Sequence, residues 1–195
     1  MSNFTPAFAF LMESECDDRN WAGKRVADVG GGFSDRKDDY GAGTVYGLSK
    51  VIRLREGFTP ADFDIPDFSD ASLRLTTVDV AAVLWRRIWD RYGCARLDRQ
   101  DIATKFFDTM GNITFIAETV MILQRACKVL GSTIDVDGVL GEHTLAAANG
   151  SDPQMLLSSM CARQLEHYEA IVVAHPDQQW NLDHLWRFRA ARVPT

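Results

Sequence analysis

Apolar positions along this chain recur at helical spacing through most of its length. Thr5 and Pro6 open a short amphipathic segment ending at Glu15, with Thr5 as N-cap, Pro6 at the first helical position, and Phe8, Leu11 and Met12 on one side. Thr77 precedes a second stripe, Val80, Leu84, Ile88 and Tyr92, which stops at Gly93. Asp98 and Asp101 read as a capping pair before Ile102–Met110. Thr114 precedes the strongest stripe, Ile116, Val120, Leu123 and Cys127, which ends near Gly131. Glu142–Ala148 follows a glycine turn as a short helix, Asp152-Pro153 starts a longer one through about Val173, and Leu182–Arg192 forms the last.

The segment from Cys16 to Ser49 breaks this rhythm. It is rich in glycine and charge and holds no sustained period, which predicts turns and a small hairpin within residues 30–48. The predicted fold is therefore mainly α, a helical domain with one small loop or hairpin region. No repeat and no low-complexity linker marks a boundary, so one domain is expected, with 1–112 as its catalytic part and 113–195 as an integral helical part. A length of 195 residues and 46% hydrophobic content suit such a core.

Charge narrows the partners. A formal net charge of -6 lacks the basic footprint that a nucleic-acid backbone requires, so no nucleic acid is expected. No apolar run reaches the ~18 residues of a membrane span, and Met1–Met12 lacks the basic flank of a signal peptide; synthesis in the cytoplasm without membrane insertion is expected. Cys16, Cys94, Cys127 and Cys161 are widely spaced and read as free thiols, and the four histidines form no ligand set. Asp135-Val136-Asp137-Gly138 reads as a turn, because Glu142 arrives too early for a calcium loop. Gly30-Gly31-Gly32 lacks the lysine of a phosphate loop.

Glu15 lies four residues after Leu11 and seven after Phe8, which puts it on the apolar stripe of the first helix. Desolvation there raises a carboxyl pKa, the condition under which a general acid protonates a glycosidic oxygen near neutral pH. A frayed, solvated helix end is the alternative, and Glu13 is the local rival. Asp35–Thr44 supplies further carboxylates and a hydroxyl on a glycine-rich turn, suited to the second partner in glycoside hydrolysis.

These residues resemble glycoside hydrolase family 108 muramidases, found in phage lysis cassettes and as secretion-associated bacterial lysozymes. The family opens with F-x-x-A-F-x-F running into E-G-G-Y and continues with D-P-x-D-P-G-G-x-T-x-Y-G-I-T. Phe4, Ala7, Phe8 and Phe10 lead to Glu15 here, and Asp38, Asp39, Gly41, Thr44, Tyr46 and Gly47 keep register after Gly31-Gly32-Phe33. Residues Cys16–Gly30 intervene between the acid and the glycine pair, with Gly30 at the strict alignment position of the acid. They are expected to form a surface excursion. Lys37 and Tyr40 replace the family's prolines. The resemblance continues through Asp108–Asn112, then Leu123-Gln124, Asp137-Gly138, Gly141, Thr144, Arg163, Tyr168 and Trp186–Arg189, a stretch similar to the family's peptidoglycan-binding-like region.

The resemblance implies hydrolysis of the β-1,4 bond between N-acetylmuramic acid and N-acetylglucosamine in peptidoglycan glycan strands, in the periplasm or wall. It implies Glu15 as proton donor, with Asp38, Asp39 and Thr44 stabilising charge or positioning water. Tyr46, Gly47 and Asn112 are implied in substrate binding. Neither cofactor nor metal is required, and a holin or secretion system would export the protein. Trp85, Trp89, Tyr46 and Trp186 offer sugar-stacking faces, with burial in the core as their other fate. The alternative is a catalytically inactive peptidoglycan-binding adaptor linked to secretion.

Overall fold

A computed structural model describes residues 1–15, the backbone of 33–34, residues 43–113 and residues 115–194. The described chain is helical almost throughout, and its contacts group into two compact units, Phe4–Tyr92 and Gly93–Thr195 with Met1–Asn3. This division falls before Gly93, so residues 93–112, expected with the catalytic part, group with the C-terminal helices.

The first unit contains helix α1 (Phe4–Glu15), strands β1 (Phe33–Ser34) and β2 (Thr44–Val45), and helices α2 (Lys50–Glu56), α3 (Asp70–Leu73) and α4 (Val78–Arg91). The strands are antiparallel, with Phe33 opposite Val45 and Ser34 opposite Thr44, so the hairpin lies where the glycine-rich segment predicts one. Helix α1 starts at Phe4, so Thr5 is helical and is not its N-cap. Its buried residues, Phe4, Ala7, Phe8, Leu11 and Met12, form the apolar stripe read from the sequence. Thr77 caps α4, its side chain accepting from the Val80 amide. The α4 stripe then buries Leu84, Trp85, Ile88 and Trp89. Phe4 stacks on Phe8 at 5.4 Å and meets Trp89 edge-on at 6.0 Å, joining α1 to α4.

The second unit contains α5 (Gln100–Asn112), α6 (Ile116–Val129), α7 (Glu142–Gly150), α8 (Pro153–Ala174), α9 (Gln179–Asn181), a π-helical turn (Leu182–Trp186) and α10 (Arg187–Ala191). The capping pair expected at α5 is replaced: Arg99 holds the N-cap position without a side-chain cap, and Asp101 lies in the first turn, paired with Arg99 at 3.0 Å. Phe115 is the N-cap of α6. Asp152 caps α8 by accepting from the Met155 amide, with Pro153 at the first position as expected. Ile113, Ile122, Tyr168, Leu182 and Ala190 form one core cluster, which Trp186 joins by stacking on Tyr168 at 5.1 Å.

Polar side chains fix the register of this unit. Gln124 donates to Asp137 Oδ1 at 2.7 Å and to Thr144 Oγ1 at 3.0 Å, and accepts from the Gly138 amide at 2.9 Å. Gly138 has φ +75°, and a Cβ there would meet Ala117 at 2.9 Å, so both conformation and space require glycine in this turn. Lys105 is fully buried, and its Nζ donates to the carbonyls of Arg189, Ala190 and Arg192 at the end of α10.

Candidate active site

The arrangement around Glu15 begins with a tight turn. Val45 and Leu48 face each other across Tyr46 and Gly47, with the Leu48 amide donating to the Val45 carbonyl at 2.8 Å. Both central residues have positive φ, +47° at Tyr46 and +78° at Gly47, the combination that matches the twist of a hairpin. Glycine adopts this conformation freely, whereas tyrosine does so only where its surroundings enforce it. The Trp85 indole supplies one such restraint, its Nε1 donating to the Tyr46 carbonyl at 2.9 Å from the buried face of α4.

Glu15 is half-buried at the end of α1, whereas Glu13 is exposed. Gly47 receives the Glu15 carboxyl at close range: a Cβ on Gly47 would lie 3.1 Å from Glu15 Cδ, 3.3 Å from Glu15 Oε2 and 3.3 Å from Trp85 Cζ2. The missing side chain thus leaves room beside the turn for the carboxyl on one side and the indole edge on another. Three distant stretches of chain, the end of α1, the 46–47 turn and the middle of α4, border this space.

Arg53 on α2 holds the turn from its other side. One guanidinium nitrogen donates to the carbonyls of Gly43 at 2.7 Å and Leu48 at 2.8 Å. Arg53 is only 4% exposed, and its guanidinium lies 4.8 Å over the Phe68 ring. Burial pushes its pKa below the ordinary arginine value, opposed by the nearby charge of Asp70. No motif or periodicity in the sequence marks this residue; its one local signal is an arginine directly after Val51 and Ile52 in a short helix.

Thr44 lies on β2, half-buried, three residues before Gly47. Asp38 and Asp39 lie outside the described residues, as does the Cys16–Gly30 segment. Asn112 belongs to the second unit, where its side-chain carbonyl accepts from the Tyr168 hydroxyl at 2.6 Å. Of the aromatic candidates, Tyr46, Trp85 and Trp89 are buried in the core, the second of the two fates open to them, and half-buried Trp186 stacks on Tyr168. Among the described residues, no cluster of His, Cys, Asp or Glu could hold a metal ion.

Residues 24–113 match the family described as Glycosyl hydrolase 108, and residues 118–183 match a Predicted Peptidoglycan domain. These matches support a glycosyl hydrolase of family 108. The first match contains the hairpin, the 46–47 turn, Arg53 and Trp85; it starts after α1, so Glu15 enters by geometry. No curated protein sequence matches the chain. Among solved structures, "Structure of Brucella abortus SagA" is similar in fold, with a TM-score of 0.64 at 20% identity, covering 96% of this chain and 92% of that one. The family assignment makes this protein a glycoside hydrolase acting on peptidoglycan at the cell wall. Among the described residues, no helix is long and apolar enough to cross a membrane.

Proposed function

We propose that this family 108 hydrolase cleaves the β-1,4 bond between N-acetylmuramic acid and N-acetylglucosamine with Glu15 as general acid. The observation that carries the role is the place of the Glu15 carboxyl, at a half-buried helix end and so close to Gly47 that a Cβ there would lie 3.1 Å from its Cδ and 3.3 Å from its Oε2. A protonated carboxyl so held donates to the glycosidic oxygen as the bond breaks, so the departing sugar leaves with a hydroxyl and positive charge develops on the ring that keeps the anomeric carbon. Asp38 or Asp39, in the chain between β1 and β2, would supply the second carboxylate. Thr44, which precedes the turn on β2, would position water. The glycan strand would follow the turn that contains Tyr46 and Gly47. Tyr46 can take part only through its backbone, because its side chain is buried.

The substrate lies beyond the inner membrane, so passage through a holin or secretion system completes the reading. Digestion of purified sacculi followed by borohydride reduction tests the bond specificity. Muramidase action gives fragments ending in reduced N-acetylmuramic acid; fragments ending in reduced N-acetylglucosamine would contradict it. Binding to sacculi without released fragments would instead support the adaptor.

A further inference from the structure

We propose that Arg53 is a positioning residue for catalysis, clamping the 43–48 backbone so that Gly47 stays beneath the Glu15 carboxyl. This rests on the preceding reading of Glu15 as the acid. The clamp is geometric: a single nitrogen bridges two carbonyls, Gly43 at 2.7 Å and Leu48 at 2.8 Å, that bracket Thr44, Tyr46 and Gly47. It reaches back from α2, whose own ends are fixed. Ser49 caps the first turn by accepting from the Ile52 amide, and Gly57, at φ +70°, ends the helix. Phe68 backs the guanidinium, and Asp70 opposes the loss of its charge on burial.

Two features separate this role from simple cohesion. First, the clamped stretch includes Tyr46 at φ +47°, a conformation that a non-glycine residue keeps only when neighbours over-determine it. Arg53 restrains the turn from the α2 side and Trp85 from the α4 side, through its 2.9 Å bond to the Tyr46 carbonyl. Second, a buried cation is a poor means of adding stability, because its desolvation offsets much of what its bonds contribute. What a fixed guanidinium does supply is geometry, and reaction rates respond steeply to displacements on the order of 1 Å.

The test uses the full chain and soluble uncrosslinked glycan fragments, comparing Arg53→Met and Arg53→Lys with the parent. With turnover normalised to folded protein, Arg53→Met should lower kcat about 10- to 100-fold, with KM changed less than about threefold. Arg53→Lys has a shorter reach and should recover part of that loss. A purely structural residue would lower activity only in proportion to the folded fraction. Amide exchange adds a readout independent of catalysis: the Leu48 amide should lose protection in either folded variant while amides within α4 keep theirs. If Arg53→Met does not fold, Arg53→Lys alone is decisive by the same two measurements. Parent kcat together with parent protection at Leu48 in a folded variant overturns the proposal. Failure of the underlying reading looks different, since Glu15→Gln would then cleave as the parent does whatever happens at Arg53.

Discussion

Gly47 shows how much of the site depends on one absent side chain. It must adopt positive φ and must leave room for a carboxyl, two demands that are separately restrictive and together exclude every L side chain without adjustment. Gly47→Ala would place a methyl 3.1 Å from Glu15 Cδ, forcing the carboxyl aside by a few tenths of an ångström or more. It would also incur about 1–2 kcal/mol for a left-handed alanine. We expect a lower melting temperature and a fall in kcat of about tenfold, measured well below the unfolding transition. Unchanged kcat in folded Gly47→Ala would mean that the close packing of Glu15 on the turn does not matter to turnover. The turn was legible as glycine-rich sequence with a tyrosine before its last glycine. The buried Arg53 bridge was not, because no periodicity marks a side chain that folds back on carbonyls five and ten residues earlier.

Long helices opened by a capping side chain were readable to their first residue. Helix α4 follows Thr77 and α8 follows Asp152-Pro153 because, in each, a short polar side chain satisfies an otherwise unpaired amide in the first turn. Thr77→Ala should therefore lower stability by about 1 kcal/mol in urea unfolding without changing the slope of the transition. A change below a few tenths would show that the 3.3 Å bond to the Val80 amide contributes nothing net. Two element starts were misread for identifiable reasons. At α5, two aspartates flank the true N-cap, Arg99, and an acidic first turn resembles a capping pair. At α1, Pro6 is equally at home two positions further into the first turn, so the helix begins at Phe4. Helices α2 and α3 are too short, at 7 and 4 residues, to display a full apolar period, and they went unread.

At the scale of the whole molecule, sequence similarity and packing draw different boundaries. The peptidoglycan-domain match begins at 118, yet α5 is built into the same unit as α6 and α8. Asp108 is fully buried and pairs with Arg189 at 3.2 Å, Lys105 binds the end of α10, and Asn112 accepts from Tyr168. A fragment containing only 123–189 would cut α6 internally and leave Arg189 and Tyr168 without these partners. It should show no cooperative thermal transition; a sharp one with tight sacculus binding would make that segment an independent module. Helix content and the small hairpin were legible from periodicity and glycine placement. The division at Tyr92 was not, because Gly93 ends a helix without any linker-like composition to signal a change of partners.

The most direct measurement is muropeptide release from purified sacculi by the parent, Glu15→Gln and Glu13→Gln. Glutamine keeps the shape of the side chain but cannot donate a carboxyl proton, so Glu15→Gln should retain fold and sacculus binding while turnover falls about 10²- to 10⁴-fold. Glu13 is exposed, whereas Glu15 is half-buried beside Gly47, so Glu13→Gln should cleave like the parent. Release by Glu15→Gln at the parental rate, or its loss in Glu13→Gln instead, would contradict the account.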